Sequence, residues 1–301
     1  MVYMTYVYEG KVMHMRISEL LMEKRPKLSF EVFPPKSWDA YESVKSATEE
    51  IAALSPSYMS VTYGAGGGTS DATVEIAANI QRGFGVPALA HLTCVSSDSE
   101  RIREQLSLLR AEGIENILAL RGDIPEGVDR DSLHYHYAYE LIGQIKEYGD
   151  FCIGGACYPE GHPEAGSFDE DLRHLKEKVD AGCEFLTTQM FFDNDIFYNF
   201  MYRVREAGIT VPVVPGIMPV TNPRSIKRTC KISGNALPAR FLRIMDKYGD
   251  NPEAIKQAGI AYATEQIIDL YANGIDNVHV YCMNKPDIAR RIKDNISAII
   301  S

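Results

Sequence analysis

The sequence predicts a closed (β/α)8 barrel, the TIM architecture, from three observations. Eight short apolar runs recur along the chain, amphipathic stretches separate them, and 301 residues accommodate the roughly 250 such a barrel needs. Alternation of strand-like and helix-like segments implies a parallel sheet with its crossovers made by helices.

The first run, LSFEVF (28–33), carries an acid in its middle. Alternate side chains of a strand leave on opposite faces, so Leu28, Phe30 and Val32 share one face and Ser29, Glu31 and Phe33 the other. If both faces are buried, Glu31 is a carboxyl sheltered from water with a raised pKa; on an exposed edge strand it simply meets solvent. YESVKSATEEIAAL follows, its apolar positions three and four apart as one buried helix stripe requires. The second run is YMSVTY (58–63), and behind it GAGGGTSD (64–71) leads into DATVEIAANIQ. This glycine cluster has Thr69 where a GxGxxG fingerprint ends in glycine. It reads as a loop and helix start, with phosphate contact as the alternative.

PALAHLT (87–93) and NILALR (116–121) are the third and fourth runs, joined by SERIREQLSLLRAEG. Ser97 or Ser99 is the expected cap of that helix and Gly113 its stop. CIGGACY (152–158) precedes DEDLRHLKEKVDAG, capped by Ser167 and stopped by Gly182. FLTTQMF (185–191), VPVVPGI (211–217) and NVHVYC (277–282) complete the eight. Residues 218–276 hold at least two helical segments, expected as an insertion between strands 7 and 8. Residues 15–301 are therefore expected as one barrel, with 1–14 a loose extension and Met13 or Met15 an alternative start. An open doubly wound sheet is the competing fold, but its glycine fingerprint after the first strand is replaced here by FPPK.

A formal net charge of -10 argues against nucleic acid as a partner. The six cysteines form no CxxC pair and read as small buried residues in a reducing, cytoplasmic setting. The N-terminus lacks the pattern of a secretory signal, and no apolar segment of about 18 residues is present to span a membrane.

In a barrel the C-terminal strand ends form the active-site rim. Those ends supply Glu31, Thr62-Tyr63, His91, Arg121-Gly122-Asp123, Tyr158-Pro159-Glu160, Gln189 with Asp193, and Met283-Asn284-Lys285. Singly, His91 reads as a satisfied core histidine, Asp123 as a turn residue and Gln189 as a hydrogen bonder between layers. Together on one rim they read as an active site. Asp171, His174 and Lys178 share a helix face, either as a solvated salt-bridged surface or as a polar arm for ribose and phosphates. No metal set surrounds His91 or His162, no GxSxG marks a serine nucleophile, and no lysine lies inside a run to form a Schiff base.

FEVFPPK, SVTYGAGG, HLTC, LALRGD, ACYPEGHPEA, KVDAGCEFLTTQMFFD and PGIMP run in order from residue 30 to about 219, and VYCMNK follows near 284. In these motifs the chain resembles the methylenetetrahydrofolate reductase family, in its short bacterial form with the catalytic barrel alone and no C-terminal regulatory domain. The resemblance implies non-covalent FAD, reduction by NADH or NADPH, and hydride transfer to 5,10-methylenetetrahydrofolate, giving 5-methyltetrahydrofolate for methionine synthesis. It makes Glu31 the general acid that opens the five-membered ring and Asp123 the group between flavin and pterin. Gln189 would meet the pterin edge and Lys285 a glutamyl carboxylate. Thr62, His91, Arg121, Gly122, Tyr158, His162, Asp171, His174 and Lys178 would contact FAD, with Ala156 and Glu160 along the same groove. A homo-oligomer is implied, and an accessory iron–sulfur subunit is left open. Two positions depart from the family: Thr229 stands where relatives carry a stacking phenylalanine, and Lys285 where they carry an arginine. The alternative readings are a non-redox folate-binding methyltransferase or lyase using Glu31 and Asp123 as acid and base, and a catalytically silent partner subunit.

Overall fold

The computed structural model describes residues 16–63 and 70–300. The N-terminal extension and all but the end of the glycine cluster lie outside the described residues. Nine parallel strand segments form one sheet: β1 (Lys27–Val32), β2 (Met59–Val61), β3 (Ala88–Thr93), β4 (Asn116–Leu120), β5 (Cys152–Cys157), β6 (Phe185–Thr188), β7 (Val213–Val214), β8 (Gly216–Ile217) and β9 (Asn277–Tyr281). The chain order around the sheet is β7-β6-β5-β4-β3-β2-β1-β9-β8.

β7 and β8 are two halves of the seventh run, VPVVPGI, divided by Pro215. Proline has no N–H for a strand ladder, so pairing is interrupted there. The first half pairs with β6 and the second with β9, while the Pro215 carbonyl accepts from His279 N at 2.9 Å. One strand split between two neighbours thus brings both ends of the sheet together, giving a barrel of eight strands.

The helices are α1 (Ile17–Leu20), α2 (Tyr41–Ala52), α3 (Ser70–Phe84), α4 (Ser99–Ala111), α5 (Ala138–Tyr148), α6 (Phe168–Asp180), α7 (Asn194–Glu206), α8 (Pro223–Ser233), α9 (Ala239–Tyr248), α10 (Pro252–Ala272) and α11 (Pro286–Asn295). Three of them, α8 to α10, lie between β8 and β9. Asp98 caps α4, accepting from Arg101 N at 2.8 Å, rather than Ser97 or Ser99. Its carboxylate also opposes the positive end of the helix dipole, which a serine hydroxyl does not. Ser167 caps α6 as expected, and Gly113 and Gly182 take the left-handed backbone that ends their helices.

Every residue of β1 is buried, which settles the position of Glu31. Leu28, Phe30 and Val32 join the main core between sheet and helices, while Ser29 and Glu31 face the barrel interior. At the N-terminal end of the barrel, Ile17, Leu20 and Leu21 pack against Tyr58, Leu89, Leu118, Cys152, Phe185 and Val214. Helix α1 and the turn behind it therefore plug the cylinder. Ile17 N donates to Asn116 Oδ1 at 2.8 Å, and Arg16 pairs with Glu184 at 2.8 Å. Above this layer Gly154 leaves room for the Phe185 ring, since a Cβ there would lie 2.5 Å from it.

β1 starts one residue before the run read from the sequence, so a lysine does lie in a strand. Lys27 sits at the plugged end, its ammonium donating to the carbonyls of Arg25 (3.1 Å) and Glu23, far along the strand from the rim. All six cysteines are free and buried. Among the described residues no helix is long and apolar enough to cross a membrane.

Candidate active site

The strand ends on the side opposite the plug open into a cleft of about 850 Å³. Its lining contains Thr62 behind β2, His91 in β3, Arg121, Gly122 and Asp123 behind β4, and Ala156 in β5. Tyr158 and His162 in the loop after β5, with Asp171, His174 and Lys178 on α6, complete the predicted set within it. The helix face read in two ways from the sequence is turned toward this cleft.

Local bonds fix several of these side chains. Arg121 forms a fork on Glu164, at 2.7 and 2.6 Å, and its Nε donates to Gly122 O at 3.0 Å. Glu164 holds the guanidinium pKa above its usual value and is itself held low by Arg121. The Lys178 ammonium donates to the Ala156 carbonyl at 2.9 Å; burial lowers its pKa, with Asp171 acting the other way. Asp171 accepts from His162 N at 3.1 Å, and burial raises its carboxyl pKa. The His162 ring meets Tyr158 edge-on at 4.5 Å, while His174 stacks on Tyr137 at 4.8 Å.

Glu31 lies deeper. It is 8% exposed, and its Oε2 stands 3.5 Å from Ser60 Oγ and 3.6 Å from His91 Nε2. Burial raises its pKa to about 8; a hydrogen bond given by Ser60 to the ionised carboxylate would oppose the shift. Burial also lowers His91 to about 3. The two are therefore a protonated acid beside a neutral imidazole, not an ion pair. His91 Nε2 is buried without a hydrogen-bond partner, and His91 belongs to both the cleft lining and the acid's surroundings.

Besides Glu31, three predicted residues stand outside the cleft lining. Glu160 accepts from Asn235 Nδ2 and Ala236 N, each at 3.0 Å, and so ties the α8–α9 loop to the rim. Gln189 folds back to accept from Met190 N at 2.9 Å, and neighbouring Asp193 caps α7. Exposed Lys285 donates to Thr221 Oγ1 at 3.1 Å. Thr229, on α8, donates to Ser225 O at 3.0 Å.

Sequence reading passed over Ser29, Ser60 and His279, which continue inward from Glu31. Ser29 is paired opposite His279, and Glu31 opposite both Ser60 and Tyr281. The signal available was the polar residue at every second position of YMSVTY and NVHVYC. Tyr137, Arg130 and Glu164 in the cleft lining were also passed over, being loop residues with no periodic pattern.

The cleft suits an elongated, phosphate-bearing cofactor: it is large, holds Arg121 and Lys178, and ends at an orphaned imidazole nitrogen. Among the described residues no group of His, Cys, Asp or Glu is arranged to hold a metal ion.

Comparison with known proteins agrees with this architecture. A solved Clostridium thermocellum structure, described as an uncharacterized protein that binds two copies of 5-methyl-5,6,7,8-tetrahydrofolic acid, superposes with a TM-score of 0.63. It is 16% identical over 93% of this chain and 99% of that one, a likeness of fold alone. The 5,10-methylenetetrahydrofolate reductase of Escherichia coli K12 is 36% identical over 88% of each chain. Methylenetetrahydrofolate reductase (NADH) 1 of Arabidopsis thaliana is 37% identical over 94% of this chain, which spans 50% of that relative's length. The family model for methylenetetrahydrofolate reductase matches residues 16–297, and this chain belongs to that family.

Proposed function

We propose that this protein reduces 5,10-methylenetetrahydrofolate to 5-methyltetrahydrofolate, with FAD as its bound cofactor and NADH or NADPH as reductant in a ping-pong cycle. The observation that carries the reading is Glu31, a carboxyl whose burial keeps it protonated near neutral pH, 3.6 Å from the His91 imidazole that lines the cleft. When bound, FAD supplies hydride transfer in two halves, from the nicotinamide and then to the folate.

The remaining work falls to side chains of this chain. Arg121 and Lys178 offset the cofactor's diphosphate, and Asp171 and His162 offer hydrogen bonds to its ribityl and ribose hydroxyls. The methylene group bridges two nitrogens and accepts hydride only once the ring opens to a cation. Glu31 Oε2 hands its proton to the leaving nitrogen, general acid catalysis of the kind that contributes 10²–10⁴-fold. The neutral His91 imidazole beside it gives the acid no ion-pair partner, so the acid keeps its proton until substrate arrives. Exposed Asp123 would meet the pterin, Gln189 would turn from Met190 N to do the same, and Lys285 beside Thr221 would hold the glutamyl carboxylate.

Stopped-flow absorbance tests this directly. Flavin colour should bleach with NADH or NADPH and return on mixing with the folate. Glu31→Gln should keep the bleaching and slow the return by about 100-fold or more. A colourless protein that no FAD restores favours a non-redox barrel, and parent-rate reoxidation in the variant removes Glu31 as the proton donor.

A further inference from the structure

We infer that His279 is a positioning residue that holds Glu31 in its protonated form, acting through Ser60 and fixed in one tautomer by Ser29. This rests on the reading of Glu31 as proton donor and extends it to three interior residues of β1, β2 and β9.

The argument is one of hydrogen counting along a chain of four contacts. Ser29 Oγ lies 3.2 Å from the carbonyl oxygen of Val278 and 2.7 Å from His279 Nδ1. Ser60 Oγ lies 3.0 Å from His279 Nε2 and 3.5 Å from Glu31 Oε2. A hydroxyl has one hydrogen to give, a neutral imidazole has one N–H, and a carbonyl only accepts. With its hydrogen on Val278 O, Ser29 must accept at the other contact, so the imidazole proton sits on Nδ1. Nε2 is then bare and draws the Ser60 hydrogen. Only a lone pair of Ser60 remains toward Glu31, and a carboxyl fills it only by donating. All four contacts are satisfied in this direction when Glu31 carries its proton. The opposite direction makes Ser60 donate to a carboxylate, but it takes the Ser29 hydrogen away from Val278 O.

The surroundings favour the neutral chain. His279 is 1% exposed and stacks on Tyr58, with ring centroids 5.5 Å apart and planes 6° from parallel. The titratable groups facing Glu31 are His91 from β3, Tyr58 just ahead of β2, His279 and Tyr281 from β9, and Cys282, whose Sγ donates to the Glu31 carbonyl at 3.2 Å. Burial keeps both imidazoles and both phenols uncharged, and no charged side chain among the described residues is a cause of the Glu31 shift. Burial already favours the protonated acid, and this direction of the hydrogen bonds adds to it.

Solid-state NMR of the FAD-loaded full chain, labelled with 15N-histidine and 13C-glutamate, tests the proposal. His279 should show a protonated Nδ1 and a bare Nε2 while the Glu31 carboxyl is protonated. Ser29→Ala should move the imidazole proton to Nε2 and lower the Glu31 titration midpoint by about one pH unit, as Ser60 turns to donate to the carboxylate. Ser29→Thr, which keeps the hydroxyl, should restore both. A proton on Nε2 in the parent, or a tautomer switch in Ser29→Ala that leaves the Glu31 midpoint in place, overturns the inference. None of these readings needs folate. The chain can thus fail while Glu31 remains the donor, and the half-reactions of Glu31→Gln test the donor separately.

Discussion

Replacing Glu31 with glutamine should flatten the pH dependence of stability as well as slow the proposed folate reduction. The Glu31 carboxyl titrates near 8 in the folded chain, against 4.5 when exposed. Between those values the folded protein keeps a proton that the unfolded chain has released. Stability therefore falls as pH rises, by about 1.4 kcal/mol per unit over that window, and is fully present only below the exposed value. Integrated from pH 5 to pH 8, the parent should lose about 3–4 kcal/mol that Glu31→Gln does not. His91 and His279 act in the opposite sense. Burial lowers both to about 3, so they cost stability as pH falls below 6.5. Both are present in parent and variant, and their effect cancels in the difference. Urea unfolding of the two proteins at pH 5 and pH 8, under otherwise identical conditions, gives that difference directly. If it changes by less than about 1 kcal/mol between the two pH values, the carboxyl is not held protonated by the fold, and the basis for general acid catalysis at Glu31 is gone.

Two further substitutions test the scaffold under the site. Gly154→Ala would place a methyl 2.5 Å from the fully buried Phe185 ring, and overpacking of this kind should cost about 1–3 kcal/mol in urea unfolding. Ile17→Ala should cost about 2–4 kcal/mol, because the side chain is 0% exposed and closes the barrel floor; a loss below about 1 kcal/mol would show that α1 is not a plug.

The strands were legible because a barrel strand buried on both faces is a short, nearly continuous apolar run, and each such run here contains its strand to within a residue or two. What the runs do not carry is register. Pro215 is visible in VPVVPGI, yet its effect on closure depends on which neighbour each half meets. The same holds for Glu31: the alternation in LSFEVF allowed an edge or an interior position, and closure of the sheet between β1 and β9 decided it. His279 and Ser60 were hidden for that reason, since their approach to Glu31 depends on the stagger between strands. At the rim, residue type located the site, but loops set direction. Tyr158, His162 and Asp171 turn into the cleft, while Glu160 ties down a loop and Gln189 bonds its own neighbour's amide. The cap of α4 was misplaced by one residue because Ser97, Asp98 and Ser99 are all good cap residues, and only backbone geometry separates them.

On the proposed reading, the cleft and the acid below it need opposite surroundings, and the barrel keeps them apart by sector. A diphosphate asks for cations; a carboxyl meant to stay protonated must be kept from them, since a positive charge within about 4–6 Å lowers such a pKa by 1–3 units. Arg121 follows β4 and Lys178 lies on α6 with its ammonium on the Ala156 carbonyl of β5, while Glu31 is framed by β1, β2 and β9. Between the two sectors stands His91 on β3, lining the cleft and 3.6 Å from Glu31. A lysine there would neutralise phosphate and ionise the acid together. A buried imidazole, neutral across the working range, can touch both regions without transmitting charge from one to the other. On that reading, a chain with net charge -10 meets a phosphate-rich ligand with the cations of the cleft lining, Arg121 and Lys178 among them, and still keeps an acid loaded with its proton nearby.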